Sequence, residues 1–585
     1  MSSSFIPAKH LAQQTLQVRH QAQSGDLLKQ ALIFFNQGNF SQAENLLNQI
    51  LKFQPKNVDA LNIAGVVASQ LSNFKNSVDY FSKAIKINPL NESYYANRGN
   101  ALIELHDYEM ALLNFNKAIA INSKYAMAYS GKGVALCALN KYEEAIDSLG
   151  KAINLSPEFV QAYQNRGDAY LKLQKSNEAL RDFDTVIQLN PQNPVVYLGK
   201  ANALKNLGKL PEALDSLLLA VKLNKHYVEA YYNMGVIYGD LNYKQDAIAA
   251  YDKAIEIDES YVEAHWNKGL VLLGEKEFEA GWPLYAWRWK REETHSNFMS
   301  LPKPLVEDLN KVSDKNILVW AEQGVGDQVM YAGLLLELFD ISPYTQVLID
   351  GRLIPLLSRA MPQAHFIDKN TPVNQIAYEM HIPIGDLGKN FRKSAADFEK
   401  TKAAYLIADK KRAEILRNQL LQGKQLLCGI TWHSGRDTTG VNKSMQLGDL
   451  LPVLKLAGIS FVSLQYGDMS EELAEFNRQT GTEIQACESV DNFKDLDGHA
   501  ALIEACDFVV TISNTSAHIA GAIGKDTYLL YPKGRGALWY WLNQAHEKSM
   551  WYPSIKIYQQ QELGQWTEPV HCIKQILEKK IHGAS

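Results

Sequence analysis

The chain has no surplus of either charge, few cysteines and no long apolar run. Lysine and arginine total 59 against 64 aspartates and glutamates, giving a net charge of −5 and a pI near 6.3. So small an imbalance leaves no electrostatic footprint for nucleic acid. The cysteines (Cys137, Cys428, Cys487, Cys506, Cys572) are odd in number, far apart and free of any CxxC pair. That argues against a disulfide framework or a zinc site and for a reducing compartment. Residues 1–30 lack the apolar core of a signal peptide, and nowhere is an apolar run long enough to span a bilayer. The expected location is cytoplasmic. A length of 585 residues implies about four folding units.

What the chain has in quantity is a repeat. Small residues return every 34 positions at Ala31, Gly65, Gly99, Gly133, Gly167, Ala201, Gly235 and Gly269. Twelve residues beyond them stand Ala43, Ser77, Ala111, Ala145, Ala179, Ala213, Ala247 and Gly281. A large apolar residue follows four later, at Leu47, Phe81, Phe115, Leu149, Phe183, Leu217, Tyr251 and Tyr285. Two antiparallel helices that cross closely need small residues where their backbones meet and a large one to fill the adjacent gap. Period, small positions and closing prolines (Pro55, Pro89, Pro157, Pro191) resemble the tetratricopeptide repeat over residues 26–295, in eight units. This predicts an all-α superhelical array, preceded by a polar helical segment at 1–25. Asn97, Asn165, Asn233 and Asn267, two residues before the small position, are expected to line a concave groove. An amide there can donate to and accept from a peptide backbone, so a polypeptide partner is expected. The last unit departs from the pattern, the stretch Gly281 to Trp289 filling its second helix with heavy aromatics (Trp282, Tyr285, Trp287, Trp289) around Pro283. A bulky terminal face implies burial against the next domain, through a junction at 296–312.

Downstream the period stops and short apolar runs alternate with helical stretches. Ile317–Ala321, Val347–Ile349 and His365–Ile367 read as strands, and Lys402–Gln422 as one long amphipathic helix. A second series comes at Leu426–Trp432, Ile459–Leu464, Phe508–Ile512 and Thr527–Tyr531. This is the doubly wound parallel α/β pattern, present twice. Gln323-Gly324-Val325-Gly326-Asp327 after the first strand reads as a glycine turn into a helix, with Asp327 in the first turn where a carboxylate is stabilised. After Ile512, Ser513-Asn514-Thr515-Ser516-Ala517-His518 opens another helix, whose free N–H groups suit an anion such as a diphosphate. Lys443, Lys533 and Arg535 come after strands and are candidates for positive charge in the same crevice; the alternative is a plain N-cap with solvated lysines.

These two turns in this order, with Asp495-Leu496-Asp497 and Trp551-Tyr552-Pro553, resemble the heptosyltransferase-type glycosyltransferases (glycosyltransferase family 9) over about 310–575. More closely, the whole resembles bacterial proteins that join tetratricopeptide repeats to such a domain. The resemblance implies a GT-B fold, with an acceptor lobe at 313–410 and a nucleotide-sugar lobe at 411–585. It implies a nucleotide-sugar donor, inversion at the anomeric carbon, and no metal or other cofactor. Asp327 corresponds to the family's general base, with Gln323, Gly324 and Gly326 forming the acceptor-side turn. Ser513, Asn514, Thr515, Ser516, His518, Trp432 and Lys443 fall to the donor side. Many members carry Asp-Thr where this chain has Ser513-Asn514, so the donor contact differs in kind.

The leading expectation is glycosyl transfer to a protein side chain held by the repeats. The alternatives are a saccharide acceptor, or a non-catalytic scaffold whose α/β half has lost its chemistry. A dinucleotide oxidoreductase is a further reading, since Asp350 ends the second strand as a ribose-binding acid would. Against it, Val329 occupies the third glycine position of GxGxxG.

Overall fold

In a computed structural model, residues 24–291, 301–435, 440, 443–534, 536–541 and 548–583 are described. Residues 1–23, Arg436 and Arg535 lie outside them. The chain divides into two units, 1–230 and 231–585, with the division inside helix Val228–Asp240.

The first unit is a succession of antiparallel helix pairs such as Glu92–Glu104 with Tyr108–Ile121, and Val160–Lys172 with Ser176–Leu189. Their crossings obey the small-against-large pattern. A Cβ on Gly65, Gly99 or Gly167 would come within 2.7–2.8 Å of the ring of Phe81, Phe115 or Phe183, which are at most 1% exposed. Gly131 and Gly199, from the following repeats, close on Phe115 and Phe183 from the other side. Phe115 and Phe183 therefore each fill a slot between two glycine-bearing helices. A second period is visible only in the backbone. Gly38, Ser72, His106, Asn140, Gln174 and Gly208 all have φ between 57° and 75°, in the turn that joins the two helices of a repeat. Only two of the six are glycine, so the others hold a left-handed conformation at about 1–2 kcal/mol each.

The second unit begins with the last repeats and continues into two parallel sheets. The first sheet contains β1 (Ile317–Trp320), β2 (Gln346–Ile349), β3 (His365–Asp368) and β4 (Met380–Pro383), in the order β3-β2-β1-β4. The second contains β5 (Leu426–Ile430), β6 (Ile459–Ser463), β7 (Ile484–Gln485), β8 (Phe508–Ile512), β9 (Thr527–Tyr531) and β10 (Ile555–Gln559). Its order is β10-β9-β8-β5-β6-β7. All pairings between these strands are parallel, and β1, β6, β8 and β9 are buried throughout. Chain order reverses at β1/β4 in one sheet and at β5/β8 in the other, and such switch points leave a crevice at the strands' carboxyl ends.

The helix expected over Lys402–Gln422 is shorter, Lys410–Leu420. Asp409 caps it by accepting from the N–H groups of Lys411 and Arg412. Upstream, the N–H groups of Tyr405 and Leu406 both donate to Ala522 O, and the Tyr405 hydroxyl donates to Val329 O. Those tertiary bonds hold the segment out of helix, between the helices that carry Val329 and Ala522. Strands β4, β7 and β10 escape the apolar-run criterion because β4 ends in proline, β7 has two residues and β10 is broken by Lys556 and ends in Gln559.

The aromatic ending of the repeats is buried. Phe278, Trp282 and Tyr285 are 1%, 3% and 6% exposed and belong to the core that includes β1. The Trp282 indole N–H donates to Arg392 O at 2.7 Å, its ring lies on Gly388, and Trp539 meets it edge-on at 5.4 Å.

Candidate functional site

Both switch points open onto one cavity of about 1120 Å³. From the first sheet it is lined by the turn after β1, including Gln323, Gly324, Gly326 and Asp327. From the second it is lined by Ser434, Gly435 and Lys443 after β5, and by Ser513, Asn514, Thr515 and His518 after β8. The last repeat supplies a third wall through Trp266, Leu270, Tyr285 and Arg288.

The turn after β1 leads into helix Val325–Ala332, with Asp327 half-buried in its first turn. Gly324 has φ −62°, an ordinary value, so a special backbone conformation is not why glycine stands there. At Gly326 the reason is proximity: a Cβ would come within 2.7 Å of His518 Cδ2. The space beside Gly326 is thus taken by a side chain from the opposite turn. The charge of Asp327 reaches the hydroxyls of Tyr285, Tyr331 and Tyr552, adding to a rise caused first by their burial.

After β8, Asn514 caps helix Thr515–Ala522, its Oδ1 accepting from Ala517 N at 3.2 Å while its Nδ2 donates to Thr431 Oγ1 at 2.8 Å. The helix's first N–H groups, those of Thr515 and Ser516, have no partner within the helix and are the natural anion donors. Ser513 accepts from the Trp541 indole at 2.8 Å and is 1% exposed, so its hydroxyl is a brace. Ser516 Oγ is 3.0 Å from His499 Nε2, beneath the surface and outside the cavity lining. His518 is enclosed by Tyr540, Trp541 and Tyr552, with Nδ1 2.9 Å from the Tyr552 hydroxyl. Burial, helped by the Lys443 charge, pushes it down to about 3, and burial brings His499 to about 4, so both are neutral imidazoles. Trp551-Tyr552-Pro553 acquires a role here, Tyr552 holding His518 and packing its ring on Gly521.

Trp432, expected on the donor side, and Lys533, a candidate for positive charge in the crevice, lie elsewhere. Trp432 is 2% exposed in the core of the second sheet, and its indole donates to Glu472 at 3.1 Å. Its place at the end of an apolar run reflects packing. Lys533 reaches Gln561 O at 2.7 Å instead of the cavity. Lys443, by contrast, is buried and lines it. Asp350 is 4% exposed and held by Arg352 and by Lys369 at 2.9 Å, which keep its carboxyl well below the usual range. Saturated by two cations, it is no ribose acceptor, which removes the main support for a dinucleotide site.

The repeat-face asparagines are all half-buried. Asn165 accepts from Gln161 at 3.0 Å; in the second unit, Asn267 donates to the Tyr232 hydroxyl at 3.1 Å. Among the described residues no group of three or more His, Cys, Asp or Glu could hold a metal, and no helix is long and apolar enough to cross a membrane.

Sequence reasoning missed a buried cluster behind the first turn: Glu322, Arg288 and Asp386. Arg288 donates to Glu322 at 3.1 Å and to Asp386, and lies over the rings of Tyr285 and Trp289 at 4.5 and 4.2 Å. The one available signal was an arginine flanked by Trp287 and Trp289 in the aberrant last repeat. Also missed was a second cavity of about 510 Å³ beyond β6 and β7, which shares Tyr466, Asn492 and Phe493 with the first. The rings of Tyr466 and Phe493 stand 6.2 Å apart at that shared edge.

Family models described as tetratricopeptide repeat match residues 28–92, 92–125, 160–193 and 228–261, and one described as TPR repeat matches 133–174 and 201–242. Protein FlbA of Caulobacter vibrioides is 30% identical over 276 residues, covering 43% of this chain and 44% of its own length. The chain thus spans less than half of that relative. Among solved structures, YrrB, described as a TPR protein with an unusual peptide-binding site, is 29% identical over 32% of this chain and 96% of its own, with a TM-score of 0.29. A tetratricopeptide repeat protein from Parabacteroides merdae is 19% identical over 43% of this chain and 98% of its own, with a TM-score of 0.36. The first half of the chain is therefore built of tetratricopeptide repeats, a protein-binding scaffold, and it continues into an α/β half with two parallel sheets.

Proposed function

We propose that the protein is a glycosyltransferase of GT-B architecture that moves a sugar, with inversion, from a nucleotide-sugar to a polypeptide acceptor. The observation that carries this reading is the shared cavity: the Asp327 turn lies on one side and the Asn514 helix start on the other. Asp327 takes the proton from the acceptor nucleophile as the nucleophile attacks the anomeric carbon. The departing diphosphate is stabilised by the N–H group of Thr515 and by Lys443. The nucleoside extends toward the adjoining cavity, where Tyr466 and Phe493 offer ring faces. His518, neutral and buried, supports the helix against Gly326 and takes no proton.

A polypeptide acceptor is favoured over a saccharide by the wall that Trp266 and Leu270 of the last repeat contribute to the cavity. A chain held by the repeats reaches the nucleophile's position at high effective concentration. The test is a thermal-shift panel of UDP, GDP, ADP and CDP with their sugar conjugates, then hydrolysis and transfer assays with the stabilising conjugate. Stabilisation by one nucleotide class and Asp327-dependent turnover are expected. Binding without turnover would leave a scaffold, and no binding by any nucleotide would end the proposal.

A further inference from the structure

The turn that carries Asp327 hangs on the last repeat by two side-chain bonds. Gln323 Nε2 donates to the Tyr285 hydroxyl at 2.6 Å, and Arg288 Nη2 donates to Glu322 Oε1 at 3.1 Å. The backbone of Gly385 makes this convergence possible, since a Cβ there would come within 2.5 Å of Glu322 Oε1 and 3.3 Å of Arg288 Nη2 and Gln323 Nε2. Arg288 is 4% exposed, and the Glu322 side chain is 0% exposed.

Two buried carboxyls therefore share one guanidinium, unequally. Asp386 is bonded by Arg288 and, at 2.9 Å, by Lys389. Glu322 has its share of Arg288 and a bond from its own backbone N–H, and its Oε2 has no hydrogen-bond partner among the described residues. An ionised oxygen left so in a buried place costs several kcal/mol, whereas the protonated form costs far less. The charged groups acting on Glu322 are Arg288 from the last repeat and Asp386, which Lys389 also bonds. Gln323 and Asp327 lie on its own turn.

We infer that Glu322 is a positioning residue for Asp327, tying its turn to Arg288 of the last repeat as a protonated acid, and that ionisation of Glu322 draws Arg288 away from Asp386 and shifts the turn. Burial outweighs the pull of Arg288 and raises its carboxyl to about 7. Burial alone would raise Asp386 as well, but Arg288 and Lys389 together leave it below its ordinary value. Of the two acids, Asp386 keeps the charge and Glu322 the proton. The repeats thereby take part in arranging the cleft, beyond any role in holding a partner.

This inference rests on the glycosyltransferase reading only for what Asp327 does, and its primary test needs no ligand. The full-length protein, Glu322→Gln and Asp386→Asn are titrated from about pH 5 to about pH 9. The readouts are the infrared band of protonated carboxyls and tryptophan fluorescence. The wild type is expected to lose a protonated-carboxyl band near neutrality with a matching fluorescence step, and Glu322→Gln to lack both. In Asp386→Asn the step moves to lower pH, because Arg288 then serves Glu322 alone. A Glu322→Gln protein that titrates like wild type overturns the inference, as does an Asp386→Asn step that stays in place; should Glu322→Gln not fold, the Asp386→Asn result decides. With a turned-over nucleotide-sugar, the wild-type rate changes through neutrality in step with the fluorescence and the Glu322→Gln rate stays flat. Absence of turnover in all three would count against the glycosyltransferase reading and leave the titration result standing.

Discussion

In the repeat unit the packing partners lie close in sequence. Gly99 meets Phe115 and Gly167 meets Phe183, both within one repeat, and the same contact returns with the period. In the α/β unit the decisive contacts are long-range: Gly326 against His518, Trp282 bonded to Arg392, Arg359 paired with Asp497 at 2.7 Å. The first arrangement tolerates a local fault, because each repeat leans only on its neighbours. In the second, one residue can belong to a core, a junction and a cavity wall at once, as Tyr285 does.

Four kinds of perturbation would put that contrast to the proof. The largest effect is expected from Asp327→Asn, which should reduce nucleotide-sugar turnover by about 10²–10⁴ while leaving the melting temperature near wild type. Full activity in that variant would remove the base assignment. Next, Gly326→Val and Gly167→Val should each cost about 1–3 kcal/mol by overpacking, measured by urea unfolding. Only Gly326→Val should also abolish the nucleotide-induced thermal shift, because it displaces His518 at the cavity. Equal ligand responses in the two would erase the proposed difference between the units.

The units should also part on pH. His518 and His499 have folded values of about 3 and 4, below their unfolded value near 6.5. Their contribution is present above pH 6.5 and is lost as pH falls. Each loses up to about 1.4 kcal/mol per pH unit across its window. Asp168 in the repeat unit has the opposite sign. It is raised to about 6 but stands exposed at the surface, so solvent screening leaves only a small loss of stability as pH rises through 6. Glu322, raised to about 7, adds a loss of the same sign to the α/β unit between its unfolded value of 4.5 and 7. Below about pH 4.5 the Glu322 contribution is constant, and the α/β unit should melt first there. Circular dichroism, with tryptophan fluorescence reporting the α/β unit, would show it. The smallest effect concerns the left-handed turns. Gln174→Gly should stabilise by about 1 kcal/mol and Gly208→Ala should destabilise by a similar amount, both read from urea midpoints.

The repeat half was legible because its signals are periodic and local. The small and large positions name their own contacts, and only the left-handed turn period stayed hidden, since serine, histidine, asparagine and glutamine do not announce a positive φ. In the α/β half the buried strands and the two turns were legible from apolar runs ending in glycine or small polar residues. Short or edge strands were not, and neither was the non-helical segment before Lys410, whose shape is set by bonds to Ala522 and Val329. Within the site, Asp327 and the Asn514 helix start stand where strand-turn-helix logic puts them. Trp432 and Ser516 were misplaced because a strand end does not say which side chain faces the crevice. Glu322, Arg288 and Asp386 were missed because their meeting depends on three distant segments.

Everything proposed for the cleft requires the turns after β1 and β8 to serve one ligand. Hydrogen exchange in the presence of the nucleoside diphosphate that gives the largest thermal shift would decide this. Exchange should slow at 323–328 and at 513–518 together, at the same ligand concentration. Protection confined to one turn, or to neither, would contradict a shared ligand.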